Sequence, residues 1–305
     1  MDHKLLDGMV GTEQDRREPL LRPGNSNCGG CGMSLSLNML SRAVRELPIQ
    51  MAIPACCGIV TPGQYPFSAF GAPVVASTFA ASAAVATGLS RVAEWNGEST
   101  RVIAFAGDGG TYDIGLATLS AAAERNEDLL YICYDNEIYG NTGGQRSSAT
   151  PLGATTTTTP SGKLRLKKDI MGIMAAHRIP YAASLSVGHA EDMVAKIRFA
   201  LELTGFRFLH ILSPCPVGWK SEAAEGVELV RLAIRSGLFP VYEVFDGERT
   251  LIRIEPEPSR EGRREALEAY FGKQGRFRKN EVNVDEVERA IEDQWARLRR
   301  QVAAS

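Results

Sequence analysis

Two groups of residues have the types and spacing to do chemistry. The first is Gly107-Asp108-Gly109, followed after 26 intervening residues by Asn136. Glycines at a strand end let backbone N–H groups approach phosphate oxygens with no side chain in the way. Asp108 and Asn136 are hard oxygen donors. A magnesium ion takes a few protein oxygens and fills the rest of its octahedron with phosphate oxygens and water. Asp108, Asn136 and the backbone carbonyl of Ile138 would supply three positions. Gly-Asp-Gly alone also serves as a plain turn; the later Asn, placed after the next strand, makes the signal specific. The second group is Cys28-Gly29-Gly30-Cys31, with Cys56-Cys57 and Cys215 downstream. A CxxC pair can put two sulfurs on one metal centre, and two further cysteines complete four thiolates, enough for zinc or an iron–sulfur cubane. Spacing does not choose between these metals. The blander alternative is a lone redox pair with buried thiols elsewhere.

The elements that must position these residues alternate between strand-like and helix-like runs. RVIAFA (101–106), LLYICY (129–134), 181–185 and 206–212 read as buried strands. Helices are expected at 80–93, 112–125 and 190–203. This alternation predicts an α/β fold with a mostly parallel sheet covered by helices on both faces. Ligands bind such sheets at the carboxyl ends of strands. Gly107–Gly110, Asn136–Gln145 and Pro214–Trp219 all follow strands. The stretch 141–163, with five threonines at 155–159, is long for a plain connection and reads as a functional loop. The expected division is an N-terminal extension (1–23), a ligand-binding domain (24–245), and a charged arm (246–305) ending in an amphipathic helix over 284–302 for subunit contacts.

Composition narrows the class. With 305 residues, 44% hydrophobic and 23% charged, the chain is globular rather than disordered. A net charge of -2 gives no electrostatic reason to expect nucleic acid. The basic run Lys273–Lys279 reads as a solvated face. Residues 1–23 lack the apolar core of a secretory signal. Gly58–Ser90 carries no charge, but Pro62, Pro66 and Pro73 interrupt it, so a buried helix is expected there rather than a membrane span. A cytoplasmic protein is expected, in which a disulfide framework is out of place. Cys133 reads as a small core residue.

The same residues carry a specific resemblance. The GDG…Asn pairing is similar to that of thiamine diphosphate enzymes. NCGGCG (27–32), ACCGIV (55–60), GDGGTYDIG (107–115), DNEIYGNTGGQRSSATPLGATTTTTPSGK (135–163) and SPCPVGW (213–219) resemble the beta subunit of 2-oxoacid:ferredoxin oxidoreductases of the pyruvate synthase type. GRFR (275–278) before a terminal helix also resembles the family. The match covers most of the chain from residue 24 onward.

The resemblance implies a thiamine diphosphate-binding fold and oxidative decarboxylation of a 2-oxoacid to an acyl-CoA and carbon dioxide. Electrons would pass through one [4Fe–4S] cluster to ferredoxin. It implies Cys28, Cys31, Cys57 and Cys215 as cluster ligands, with Cys57 preferred over Cys56 because the family's cysteine stands three residues before a valine, here Val60. It further implies Asp108, Asn136 and the Ile138 carbonyl at magnesium. Gly107, Gly109 and Thr142 would lie around the diphosphate, and Asn141 would face the reacting carbon, where it could stabilise developing negative charge. The family's cofactor-activating glutamate lies on an alpha subunit, and no match for it occurs here. No CxxCxxCxxxCP run occurs either. The chain should therefore work in a heteromer with an alpha subunit and gamma- or delta-type subunits carrying further clusters.

Two departures bear on substrate. Phe79-Ala80-Ala81 stands where pyruvate enzymes tend to have Phe-Glu-Asn, and Pro62–Phe70, with Tyr65, Phe67 and Phe70, is unusual. Both follow the third cluster cysteine and can either shape the substrate pocket or repack the core. A branched, aromatic (phenylglyoxylate-like) or dicarboxylic (oxalate-like) 2-oxoacid is therefore an alternative to pyruvate. Two further alternatives are an iron-free acetolactate-type lyase and a non-catalytic electron-transfer subunit.

Overall fold

The structure is a computed structural model, and it describes residues 18–62, 68–278 and 282–304. Residues 1–17 of the expected extension, Tyr65 and Phe67 of the unusual segment, and Lys279 of the basic run lie outside the described residues.

Helix α1 (Gly32–Val44) leads to β1 (Ile49–Pro54), the single turn α2 (Cys57–Val60), β2 (Val74–Ser77) and α3 (Ser82–Trp95). Then come β3 (Arg101–Gly107), a π-helical turn (Gly109–Asp113), α4 (Leu116–Glu124) and β4 (Leu129–Asp135). After a long irregular stretch follow α5 (Ile170–Ala175), β5 (Tyr181–Ser186), α6 (Ala190–Glu202), β6 (Phe206–Leu212), α7 (Pro216–Trp219) and α8 (Gly226–Arg235). The hairpin β7 (Val241–Phe245)–β8 (Arg249–Ile254) and helices α9 (Arg260–Gly272) and α10 (Val284–Ala304) complete the order.

All eight strands form one sheet, ordered β2-β1-β3-β4-β6-β5-β7-β8. The first six are parallel, and β7 and β8 add antiparallel. β4 shows why the sheet is covered on both faces. All seven of its residues are buried. Leu130, Ile132 and Tyr134 enter one apolar core, while Leu129, Tyr131 and Cys133 enter the other. That is the period-two alternation of a strand, read out into two layers. Full burial of each such side chain contributes roughly 1.5–3 kcal/mol.

The four strands expected from the sequence are β3, β4, β5 and β6, within one residue of the expected bounds. The described residues of the uncharged segment 58–90 hold α2, β2 and the start of α3, the helix expected at 80–93. No helix among the described residues is long and apolar enough to cross a membrane. The β7–β8 hairpin spans residue 246, so the expected arm begins inside an element of the main sheet. Of the expected extension, Leu20 and Leu21 pack into the core, and Leu21 bridges Phe70.

Candidate active site at the carboxyl edge of the sheet

The chain runs from β1 outward to β2, then returns to lay β3 on the other side of β1. The crevice between β1 and β3 is therefore a topological switch point, where loops diverge and leave room for a ligand. Cys57 follows β1, Asp108 follows β3, Asn136 follows β4 and Cys215 follows β6, and these four strands are neighbours in the sheet. Cys28 and Cys31 reach the same edge because the Gly32 N–H donates to the Pro214 carbonyl at 2.8 Å. Gly32 permits this approach: a Cβ there would stand 2.4 Å from the Pro214 nitrogen.

At the first group, the Asp108 carboxylate, the Asn136 amide and the Ile138 carbonyl come together. The Asn136 side-chain amide presents one end 2.8 Å from Asp108 Oδ1 and 2.7 Å from the Ile138 carbonyl oxygen. With nitrogen on that side, the amide donates to both. With oxygen on that side, it accepts the Ile138 N–H at 3.3 Å, and three acceptor oxygens face one another. A cation between the three oxygens, or the first orientation of the amide, relieves the second arrangement. Adjacent corners of a magnesium octahedron stand about 2.9 Å apart, from the ~2.1 Å bond length. The donor set therefore fits magnesium in chemistry and spacing.

Asp108 itself is buried, and its other oxygen accepts from Ser147 Oγ. Burial, with the nearby Asp135 charge adding to it, pushes the Asp108 carboxyl well above the usual carboxylate range. Gly109 is enclosed: a Cβ there would meet the Tyr139 ring at 2.0 Å. Tyr139 in turn donates to Asp113 Oδ2 at 2.8 Å and meets Phe79 edge-on, with centroids 5.8 Å apart. The departure at 79–81 thus adjoins the Gly-Asp-Gly turn.

Residues 139–145 form a tight loop. The Tyr139 N–H donates to the Gln145 carbonyl at 3.0 Å, and the Gly144 N–H to the Tyr139 carbonyl at 2.9 Å. Gly143 and Gly144 have φ of +112° and +82°, which only glycine adopts at no steric cost. Asn141 and Thr142 are exposed on this loop, and the Thr142 hydroxyl donates to Gln145 Oε1 at 2.5 Å.

At the second group, Cys57 and Cys215 face one backbone. A Cβ on Gly140 would stand 3.9 Å from each of their sulfurs. Burial first, then the charges of Cys56, Cys215, Cys31 and Cys28, push the Cys57 thiol up to about 12. Burial pushes Cys215 up to about 11, against the Gly218 N–H, which donates to its sulfur at 3.3 Å. Cys56 points elsewhere. It is buried and accepts from the Tyr134 hydroxyl at 2.9 Å. Among the described residues, no three Cys, His, Asp or Glu side chains converge as a single ion requires. By their chemistry, four thiols at this edge suit a zinc ion or an iron–sulfur cluster.

Beneath these loops lies a charged network that sequence reasoning missed. Asp135 accepts from Lys167 at 2.6 Å, from Tyr112 at 2.9 Å and contacts His210 Nε2 at 2.7 Å. Burial opposes its charge, but Lys167 and His210 prevail and hold the carboxyl well below the usual range. Glu137 pairs with Arg276 at 2.6 Å and with Lys167 at 3.1 Å. Arg276 is 1% exposed, so this part of the basic run is not a solvated face. Its Nη1 finds no acceptor among the described residues, a desolvation cost of about 1–3 kcal/mol. The position of Glu137 between Asn136 and Ile138, and of Arg276 in GRFR, were the available signals.

Comparisons with known proteins give the family. Residues 50–211 match the thiamine pyrophosphate enzyme family, C-terminal TPP binding domain. The chain is 38% identical over 289 residues to ketoisovalerate oxidoreductase subunit VorB of Pyrococcus horikoshii, covering 91% of each chain. It is 41% identical over 267 residues to pyruvate synthase subunit PorB of Methanothermobacter thermautotrophicus, covering 86% of this chain and 90% of that one. Its fold resembles a 2-oxoglutarate:ferredoxin oxidoreductase from Magnetococcus marinus, with TM-score 0.61 and 21% identity over 90% of this chain and 95% of that one. With its glycine–aspartate turn, Asn136 and its cysteines brought to one sheet edge, a chain so similar to these subunits belongs to the thiamine pyrophosphate enzymes, and within them to the beta subunits of the 2-oxoacid:ferredoxin oxidoreductase family.

Proposed function

We propose that this chain is the beta subunit of an enzyme that oxidatively decarboxylates a monocarboxylic 2-oxoacid, pyruvate or a branched-chain acid, to an acyl-CoA. Convergence of Asp108, Asn136 and the Ile138 carbonyl beside the grouped thiols carries the reading. The substrate class follows the pyruvate and ketoisovalerate names of the similar chains. Thiamine diphosphate, when bound, supplies a carbon nucleophile and an electron sink for decarboxylation.

The chain's own residues bind and orient. Asp108, Asn136 and the Ile138 carbonyl would hold magnesium, whose charge would neutralise the diphosphate. Gly107 and Gly109 keep side chains away from the phosphates, and Thr142 offers them a hydroxyl. Asn141 hydrogen-bonds the substrate oxygen where negative charge develops. Cys28, Cys31, Cys57 and Cys215 would hold a [4Fe–4S] cluster at the same edge, which would supply a one-electron acceptor. Phe79 and Tyr139 wall the space beside Gly109 and Gly110. The partner alpha subunit supplies the activating glutamate, and gamma- or delta-type subunits pass electrons on to ferredoxin.

The test is anaerobic purification of the complex, followed by acceptor reduction with a panel of 2-oxoacids, with and without coenzyme A. Coenzyme A-dependent reduction with pyruvate or 2-oxoisovalerate is expected. No reduction with any acid, in a complex that holds both cofactor and iron, would overturn the catalytic reading.

A further inference from the structure

Glu137 stands between two of the residues assigned to magnesium, Asn136 and Ile138, with φ of +64°. A non-glycine residue adopts this left-handed conformation only when its surroundings impose it. The conformation has a use. It folds the chain back so that the Asn136 side chain and the Ile138 carbonyl face one point, 2.7 Å apart.

Both ends of Glu137 are tied. Its N–H donates to Asp135 Oδ1 at 3.0 Å, and its carbonyl accepts from Thr150 Oγ1 at 2.8 Å. Lys167 donates to Oε1 at 3.1 Å, and Arg276 Nη2 to Oε2 at 2.6 Å. Tyr270, whose hydroxyl accepts from Arg276 Nη2 at 2.8 Å, also reaches Oε2 at 3.3 Å. Arg276 works on the turn from a second side as well. Its guanidinium lies 4.4 Å from the Trp219 ring centroid, and Trp219 Nε1 donates to the Asn136 carbonyl at 2.8 Å. Trp219 ends the helical turn that Cys215 caps. One buried guanidinium therefore grips the turn through Glu137 and through Trp219, and joins it to the segment that carries Cys215.

We propose that Arg276 is a positioning residue for the magnesium site, acting through Glu137 and Trp219 to hold the strained turn between Asn136 and Ile138. The proposal deepens the function proposed above and rests on it. The geometry also assigns a role to the GRFR motif: it is part of the site rather than a surface feature.

The test uses the anaerobically purified heteromeric complex, stripped of cofactor, with thiamine diphosphate binding measured calorimetrically against magnesium concentration. Arg276→Met should weaken magnesium by about 10- to 100-fold, as removal of a ligand's supporting partner does, while iron content stays at the wild-type level. Arg276→Lys should not restore it, because an ammonium cannot both bond Glu137 and stack flat on Trp219. The double variant Glu137→Gly/Arg276→Met should recover most of the loss, since glycine takes the positive φ without a tether. That recovery separates positioning from general destabilisation. Unchanged magnesium affinity in Arg276→Met, or a double variant no better than the single one, overturns the proposal. If Arg276→Met does not assemble, Glu137→Gln carries the test, and unchanged magnesium affinity there overturns it equally. A wild-type complex that binds no thiamine diphosphate overturns the function itself, an outcome no variant mimics.

Discussion

Cys56 and Cys57 are identical side chains one peptide apart, and the fold separates them by what each sulfur can reach. Cys56 turns inward to the Tyr134 hydroxyl, whose ring stacks on Phe105 with centroids 4.8 Å apart. Cys57 turns toward Gly140 and Cys215. Cys57→Ser should lose most of the iron, whereas Cys56→Ser should keep it, since serine can still accept from Tyr134; iron analysis of the two purified variants decides. The motif in the sequence already favoured Cys57 through its distance from Val60, but it gave no reason. Glu137 and Arg276 were less legible still. Nothing in one sequence reveals a left-handed backbone at a glutamate, or a pair that bridges 139 positions.

Among elements, β3, β4, β5 and β6 were legible because they are short apolar runs buried on both faces. The others were not. β1 carries Gln50 and ends at Pro54, β2 has four residues, and β7 and β8 are half-buried with charges among them. The expected helix over 112–125 is in fact a π-helical turn followed by a shorter α-helix. Gly115 makes that junction fit. A Cβ there would stand 1.9 Å from the Gly110 carbonyl oxygen, backbone that cannot swing away. Gly115→Ala should cost about 1–3 kcal/mol or more by denaturant unfolding, as overpacking does; wild-type stability would show that the turn can shift.

The irregular stretch before α5 carries its own pH signature. Lys163 is buried and donates to the carbonyls of Ser148 at 2.8 Å and Thr150 at 2.5 Å. Burial, then the charges of Arg146 and Lys167, lower its pKa from 10.5 to about 8. Between those values the unfolded chain holds a proton that the folded chain has released, so this contribution raises stability as pH rises. Below about 8 the penalty for the buried charge is full. The stability difference between wild type and Lys163→Met should therefore grow in favour of wild type from pH 8 to 10. Denaturant midpoints at several pH values measure it, and a flat or falling difference contradicts the assignment.

At the scale of the molecule, the sheet gathers the loops of β1, β3, β4 and β6 at one edge, while helices seal its faces. The amphipathic terminal helix was legible from its spacing: Val287, Ile291, Trp295 and Leu298 form the buried stripe of α10. Its anchor was not, because it depends on a distant turn. Trp295 Nε1 donates to the Gly237 carbonyl at 2.8 Å, and Gly237 has φ of +81°. Trp295→Ala should cost about 3–5 kcal/mol, the usual loss for a buried tryptophan. A change under about 1 kcal/mol would show that α10 is only loosely held.

The Arg276–Glu137 pair also has a meaning in time. A chain leaves the ribosome N-terminus first, at about 5–20 residues per second. Arg276 is thus made roughly 7–28 s after Glu137, their separation of 139 residues divided by that rate. The parallel strands from β1 to β6 can pair in that interval, but the turn between Asn136 and Ile138 lacks its clamp. On the proposal above, a site for magnesium and thiamine diphosphate would gain its clamp only after most of this chain has been synthesised, so cofactor loading would come late.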